Sequence, residues 1–113
     1  KIIKTIDLDK FRTIKGSVKS KVFTGRDRGQ LVRERSKIDE IFDGKEVVKL
    51  IIPDDIFSIT PSFLEEFVEN IVKNYGKDIV LSKLDLAGNQ YDITEPLQEA
   101  IDRILQTKTG LEV

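Results

Sequence analysis

Val47-Val48-Lys49-Leu50-Ile51-Ile52-Pro53-Asp54-Asp55-Ile56-Phe57-Ser58-Ile59-Thr60-Pro61-Ser62-Phe63-Leu64 runs from an almost continuously apolar segment into the start of an amphipathic helix. The β-branched run 47–52 suits a central strand covered on both faces. Pro53 ends it, because proline has no backbone donor to give the ladder. Beyond the loop, Phe63, Leu64, Phe67, Val68, Ile71, Val72 and Tyr75 recur at the spacing of one helical face,. Gly76 closes that helix where a left-handed C-terminal cap is expected.

Working outward, Ile79 to Leu86 reads as the next strand, Ala87-Gly88-Asn89-Gln90 as a turn, and Leu97, Ala100, Ile101, Ile104 and Leu105 as the face of a last helix. That helix starts near Thr94-Glu95-Pro96, and the tail Thr107 to Val113 is expected to fray. On the other side, Leu31, Val32, Ile38, Ile41 and Phe42 give one helical face, with Asp27 and Gln30 as a capping box and Gly44 as the stop,. Ile2 to Leu8 alternates as an edge strand, and Val18 to Phe23 is expected to pair back on it before Thr24-Gly25,. A helix joining two buried strands implies a parallel pair and a right-handed crossover. The expected fold is α/β: a small mixed sheet with central parallel strands, an antiparallel or irregular edge and about three helices.

Composition narrows the chemistry. The 113 residues fit one domain spanning 1–113, and a chain of this size buries roughly two thirds of its unfolded surface,. Hydrophobic residues at 39% and charged residues at 35% place it among globular chains rather than disordered ones,. With no cysteine and no histidine, disulfides, thiolate zinc sites and the usual general base near neutral pH are excluded,. No apolar run approaches the length of a bilayer span and no signal-peptide pattern opens the chain, so a cytoplasmic location is expected. The absence of an initiator methionine before Lys1 suits a trimmed piece of a longer protein. The net charge of −1 hides a segregation: residues 1–37 carry 12 − 4 = +8 and the remainder 7 − 16 = −9. Folding is expected to bring the two halves together.

Ligands and partners of open α/β sheets gather at the carboxyl ends of the parallel strands, which selects the loop after Ile52. The candidate partner-binding residues are Asp54, Asp55, Phe57, Ser58, Thr60, Pro61, Ser62 and Phe63. Either Thr60 caps the helix with Pro61 in its first position, or Ser62 caps it with Glu65 three residues on. Capping alone explains hydroxyls here. The same position also makes Ser62 a candidate phosphoacceptor, since a phosphate adds roughly two negative charges beside a helix terminus that tolerates them.

Across these residues the chain resembles the STAS domains, the fold of bacterial anti-sigma factor antagonists. It is closer to a divergent STAS-like group in which a Ser-Phe pair opens the helix, as Ser62-Phe63 does here. Gly25-Arg26-Asp27-Arg28-Gly29 with Arg33 is similar to that group's glycine and arginine signature, and the likeness covers about residues 18 to 105. The antagonists' acidic-serine-serine-glycine stretch stands here as Thr60-Pro61-Ser62-Phe63, so the phosphorylated serine carries over to Ser62 alone. The chain looks one strand and one helix shorter than a full antagonist. The resemblance implies a non-catalytic regulatory module without cofactor or metal, docking onto a protein partner such as a kinase of the histidine-kinase ATPase fold.

The alternative is an anion, nucleotide or nucleic-acid site at Gly25, Arg26, Arg28, Gly29 and Arg33, where glycines permit unusual backbone angles and amide groups can hold an anion. The phosphate-binding lysine of a P-loop is missing. The plainer expectation is a solvated face on which Arg26, Arg28, Arg33 and Arg35 pair with Glu34, Asp39 and Glu40. Nucleic acid is disfavoured: Phe11 and Phe23 are the only aromatics in the basic third, with Phe42 beyond it, and the pI is about 5.5,. A catalytic reading would need Asp54, Asp55 and Asp85 to gather around Mg²⁺. Loop aspartates beside proline are more often turn formers.

Overall fold

A computed structural model describes residues 4–110, with side chains through residue 106. Lys4–Asp7 forms β1, followed by a 3-10 turn at Leu8–Phe11, and Ile14–Lys15 (β2) and Val18–Lys19 (β3) make a small hairpin. Val22–Phe23 (β4) leads into α1, Arg26–Ser36, and then α2, Ile38–Ile41. Val48–Ile51 (β5) and Ser58–Ile59 (β6) precede α3, Pro61–Tyr75. Lys77–Lys83 (α4), Leu84–Asp85 (β7) and Thr94–Gly110 (α5) complete the described chain.

The α/β class is observed, with β5 at the centre of a parallel sheet of order β1-β5-β7. Val48 and Leu50 are buried while Lys49 and Ile51 are half-buried, so one face of β5 is sealed and the other only partly covered. β1 lies at the sheet edge as expected, with Ile6 and then Leu8 buried; Ile2 and Ile3 fall outside the described residues. Among the described residues, antiparallel pairing is confined to the separate β2-β3 hairpin, where the turn needs the positive φ of Gly16,.

Several expected elements change. Val18 to Phe23 does not pair back on the first strand: β3 pairs with β2, and β4 lies parallel to β6, matching Val22 with Ser58 and Phe23 with Ile59. The helix expected through Phe42 breaks at Lys37, which takes a left-handed conformation (φ 59°) between α1 and α2. Asp27 and Gln30 do not form a capping box, because α1 starts two residues earlier, with Gly25 rather than Asp27 at its N-cap. Gln30 instead reaches Glu34 at 3.4 Å. Gly44 lies past the end of α2, in a turn held by Asp43, whose carboxylate accepts the Lys45 and Glu46 N–H groups.

Most of the expected strand Ile79 to Leu86 is helical. Val80 and Leu84 are buried four residues apart, a helical spacing, and only Leu84–Asp85 pairs with β5,. Gly76 joins α3 directly to α4 at φ 86°, ψ 167°, a region open essentially to glycine and distinct from the left-handed helical cap expected there,. The bounds of α5 run to Gly110, and residues 111–113, the end of the tail expected to fray, lie outside the described residues.

The core forms around α3, which buries Phe63, Leu64, Phe67, Val68, Ile71 and Val72 against α1, α5 and the sheet. Each such side chain contributes about 1.5–3 kcal/mol through removal from water. Phe23 packs tilted on Phe63 and Phe63 stacks on Phe67, with centroids 5.3 and 5.7 Å apart. α1 approaches α3 so closely at Gly29 that an added Cβ would land on the Phe63 carbonyl oxygen.

Candidate functional site

Two parallel strands, β4 and β6, each run straight into a helix, and this places the starts of α1 and α3 side by side. The ladder continues past both strands: Phe57 N–H donates to the Lys21 carbonyl and Thr60 N–H to the Phe23 carbonyl. Thr60 is the N-cap of α3 and Pro61 its first residue, the first of the two sequence alternatives; Ser62 and Glu65 do not form a cap. The Thr60 hydroxyl accepts from Phe63 N–H and also from Gly25 N–H, both at 3.4 Å, so one oxygen ties the two helix starts together. Ser62 Oγ lies 3.1 Å from Thr60 Oγ1 and is half-buried.

Upstream, the loop is braced by Arg12, whose side chain is only 4% exposed. Its guanidinium binds Asp55 through two hydrogen bonds of 3.0 and 2.8 Å, Asp9 at 3.1 Å and the Ser20 carbonyl at 2.9 Å. The planar fork of arginine suits this bidentate grip. Arg12 holds the carboxyls of Asp55 and Asp9 below their usual range, with Lys19 helping at Asp9, and the Asp55 contact raises the Arg12 pKa in return. From the opposite side, the Tyr91 hydroxyl accepts Ile59 N–H at 3.1 Å. Ile56 and Ile59 turn inward.

Held between these supports, Phe57 is 68% exposed. Asp54 is exposed and has no partner among the described residues; Ser58, Thr60 and Pro61 are half-buried. Phe63 departs from the expected binding surface. It is fully buried and packs on Phe23 and Phe67, so it belongs to the core.

The arginine cluster is reorganised as well. Arg26 pairs with Glu65 at 3.1 Å and Glu66 at 3.6 Å, and Arg33 reaches the Glu66 carbonyl, Glu66, Glu69 and Asp39. The partners are mainly the acidic face of α3, rather than the Glu34 and Glu40 expected on the same segment. Glu65, nearly buried, is shared with Arg103 of α5 at 3.1 Å. Gly25 caps α1 at φ 86°, and Gly29 is buried in the helix interface instead of opening a loop. Of the three candidate arginines only Arg28 lacks a partner among the described residues. Neither do the aspartates converge: Asp55 is taken by Arg12, Asp85 accepts Ala87 N–H, and no group of three His, Cys, Asp or Glu among the described residues could hold a metal ion.

Three elements of the site escaped the sequence reading. Arg12 and Asp55 lie 43 residues apart, and the spacing Asp9 to Arg12 marks only the local half of that network. Asn89 sits in the segment 87–90 that reads simply as a turn, and Tyr91, just past it, belongs to no element of the sequence reading. Asn89 accepts Ile52 N–H and donates to the Leu50 and Leu86 carbonyls, closing the end of β5 where Pro53 breaks the ladder. A cleft of about 490 Å³ along β7, walled by Val47, Leu81, Leu84, Leu86 and Leu97, also has no counterpart in the sequence reading.

No helix among the described residues is long and apolar enough to cross a membrane. Compared with known proteins, the chain matches no family model, no curated protein and no solved structure.

Proposed function

We propose that this chain is a non-catalytic regulatory module of the STAS-like kind, acting in the cytoplasm by docking a protein partner on the loop Pro53 to Ser62. The observation that supports this reading is Phe57. A phenyl ring standing 68% exposed on a loop braced by Arg12 and Tyr91 costs little further ordering when a partner covers it,. Ser62, three residues past the loop's last inward isoleucine, is the switch: a phosphate on its hydroxyl puts roughly two negative charges at the edge of the docking surface. The helix start beneath it accommodates that charge, so recognition changes while the fold persists. A kinase of the histidine-kinase ATPase fold is the partner class that the resemblance supplies.

The rival anion site loses support because Arg26 and Arg33 already face carboxylates. Affinity purification of the intact protein from its host, with mass spectrometry for both partners and phosphate on Ser62, tests the reading. Recovery of such a kinase by the wild type and its loss from Phe57→Ala is the expected result. Equal recovery by both proteins counts against the loop as the docking surface.

A further inference from the structure

Between Lys10 and Arg26 the sequence carries Lys10, Arg12, Lys15, Lys19, Lys21 and Arg26 and no acidic residue. Arg12 and Arg26 are neutralised by carboxylates, and Lys19 pairs with Asp9 at 3.2 Å. Lys10 and Lys15 have no partner among the described residues, and Lys21 is exposed near Asp55. Positive charge is therefore left on and around the β2-β3 hairpin.

The same hairpin exposes two aliphatic side chains that the core does not use, Ile14 at 58% and Val18 at 67%. Lys15 stands opposite Val18, while Ile14 stands opposite Lys19. Because side chains alternate along a strand, Thr13, Lys15, Val18 and Ser20 share one face of the ribbon. These four residues line a cavity of about 330 Å³. Among the described residues the ribbon is two strands wide, and no further strand pairs with either outer edge. Its root is nonetheless fixed: Ser20 N–H donates to the Thr13 carbonyl at 2.7 Å, and buried Arg12 donates to the Ser20 carbonyl.

We propose that this hairpin docks an acidic, extended segment of a protein partner. The segment adds a strand to an open edge, places an apolar side chain in the cavity against Val18 and sets carboxylates opposite Lys15 and its neighbours. Charge complementarity selects an acidic occupant, and the open edge with the cavity selects a peptide. A nucleic acid would need aromatic platforms, which the hairpin lacks. A lipid surface would engage the aliphatics and lysines but has no use for a strand edge. The site is independent of Ser62 and of the proposed phosphate switch.

Fluorescence anisotropy on the intact chain tests it, with a labelled peptide of alternating glutamate and valine as probe. A lysine–valine peptide, mixed-sequence single-stranded RNA and phosphatidylserine vesicles serve as comparisons. The acidic peptide is expected to bind, and Lys15→Glu and Val18→Ser each to weaken it by about tenfold. The melting temperature should stay unchanged, since both side chains are exposed. Absence of acidic-peptide binding, affinity unchanged from the wild type in either variant, or stronger binding to the basic peptide, RNA or vesicles overturns the proposal.

Discussion

Thr60 and Ser62 lie two residues apart with their hydroxyls in contact, yet they bear different loads. Removing the Thr60 oxygen leaves both Phe63 N–H and Gly25 N–H without their acceptor. Thr60→Ala is therefore expected to lower stability by about 1–2 kcal/mol, the scale of a lost N-cap, in urea denaturation. Ser62→Ala, which removes no backbone acceptor, is expected to leave it nearly unchanged, and equal losses would mean that the hydroxyls share the cap. Pro61 marks the first helical position in the sequence, which is why the cap was half legible there; the second donor from Gly25 comes from a distant segment and was not. Asp43 supports a pH prediction. The Glu46 and Lys45 N–H groups, then Lys4, hold its carboxyl far below its ordinary 3.8. A depressed carboxyl stabilises the fold fully above the unfolded value and loses that contribution as pH falls toward the folded one. Thermal melts should therefore fall below about pH 4, and Asp43→Asn should melt lower at neutral pH and show a shallower acid loss.

Elements were readable where one pattern dominated and misread where a partner decided. Seven apolar positions of α3 repeat at one period and six of them are buried, while Tyr75 at the helix end is exposed,. The segment 77–85 holds contiguous Ile79, Val80 and Leu81, which suit either a strand or a helix; it is helical through Lys83, with Val80 buried and Ile79 exposed,. Gly29 reads as half of a glycine pair before a helix, whereas it is the contact point of two helices. Gly29→Ala should cost about 1–3 kcal/mol by overpacking, or more because the obstruction is a backbone oxygen,. A neutral effect, measured by chemical denaturation, would contradict the close crossing of α1 and α3. Asn89 completes the ladder at Ile52, so Asn89→Ala should cost about 1–3 kcal/mol through unsatisfied backbone groups in the same assay,.

At the scale of the molecule, the basic first third and the acidic remainder meet. Lys4 pairs with Asp43 and Glu46, Arg12 with Asp55, Arg26 with Glu65 and Arg33 with Glu66 and Glu69. That cancellation was expected from the opposite charges of the two halves, but which lysines would remain on the hairpin depended on a strand pairing that two-residue strands barely encode. The same geometry braces the proposed docking loop: Arg12 from the basic third clamps Asp55, and Phe57 is left exposed. The most direct measurement is isothermal titration of a histidine-kinase-fold ATPase from the host with the wild type and with Ser62→Glu, alongside their melting curves. The account predicts binding by the wild type, affinity at least about tenfold weaker for Ser62→Glu, and melting temperatures that coincide. Equal affinity of the two proteins, or no binding by the wild type, would contradict it.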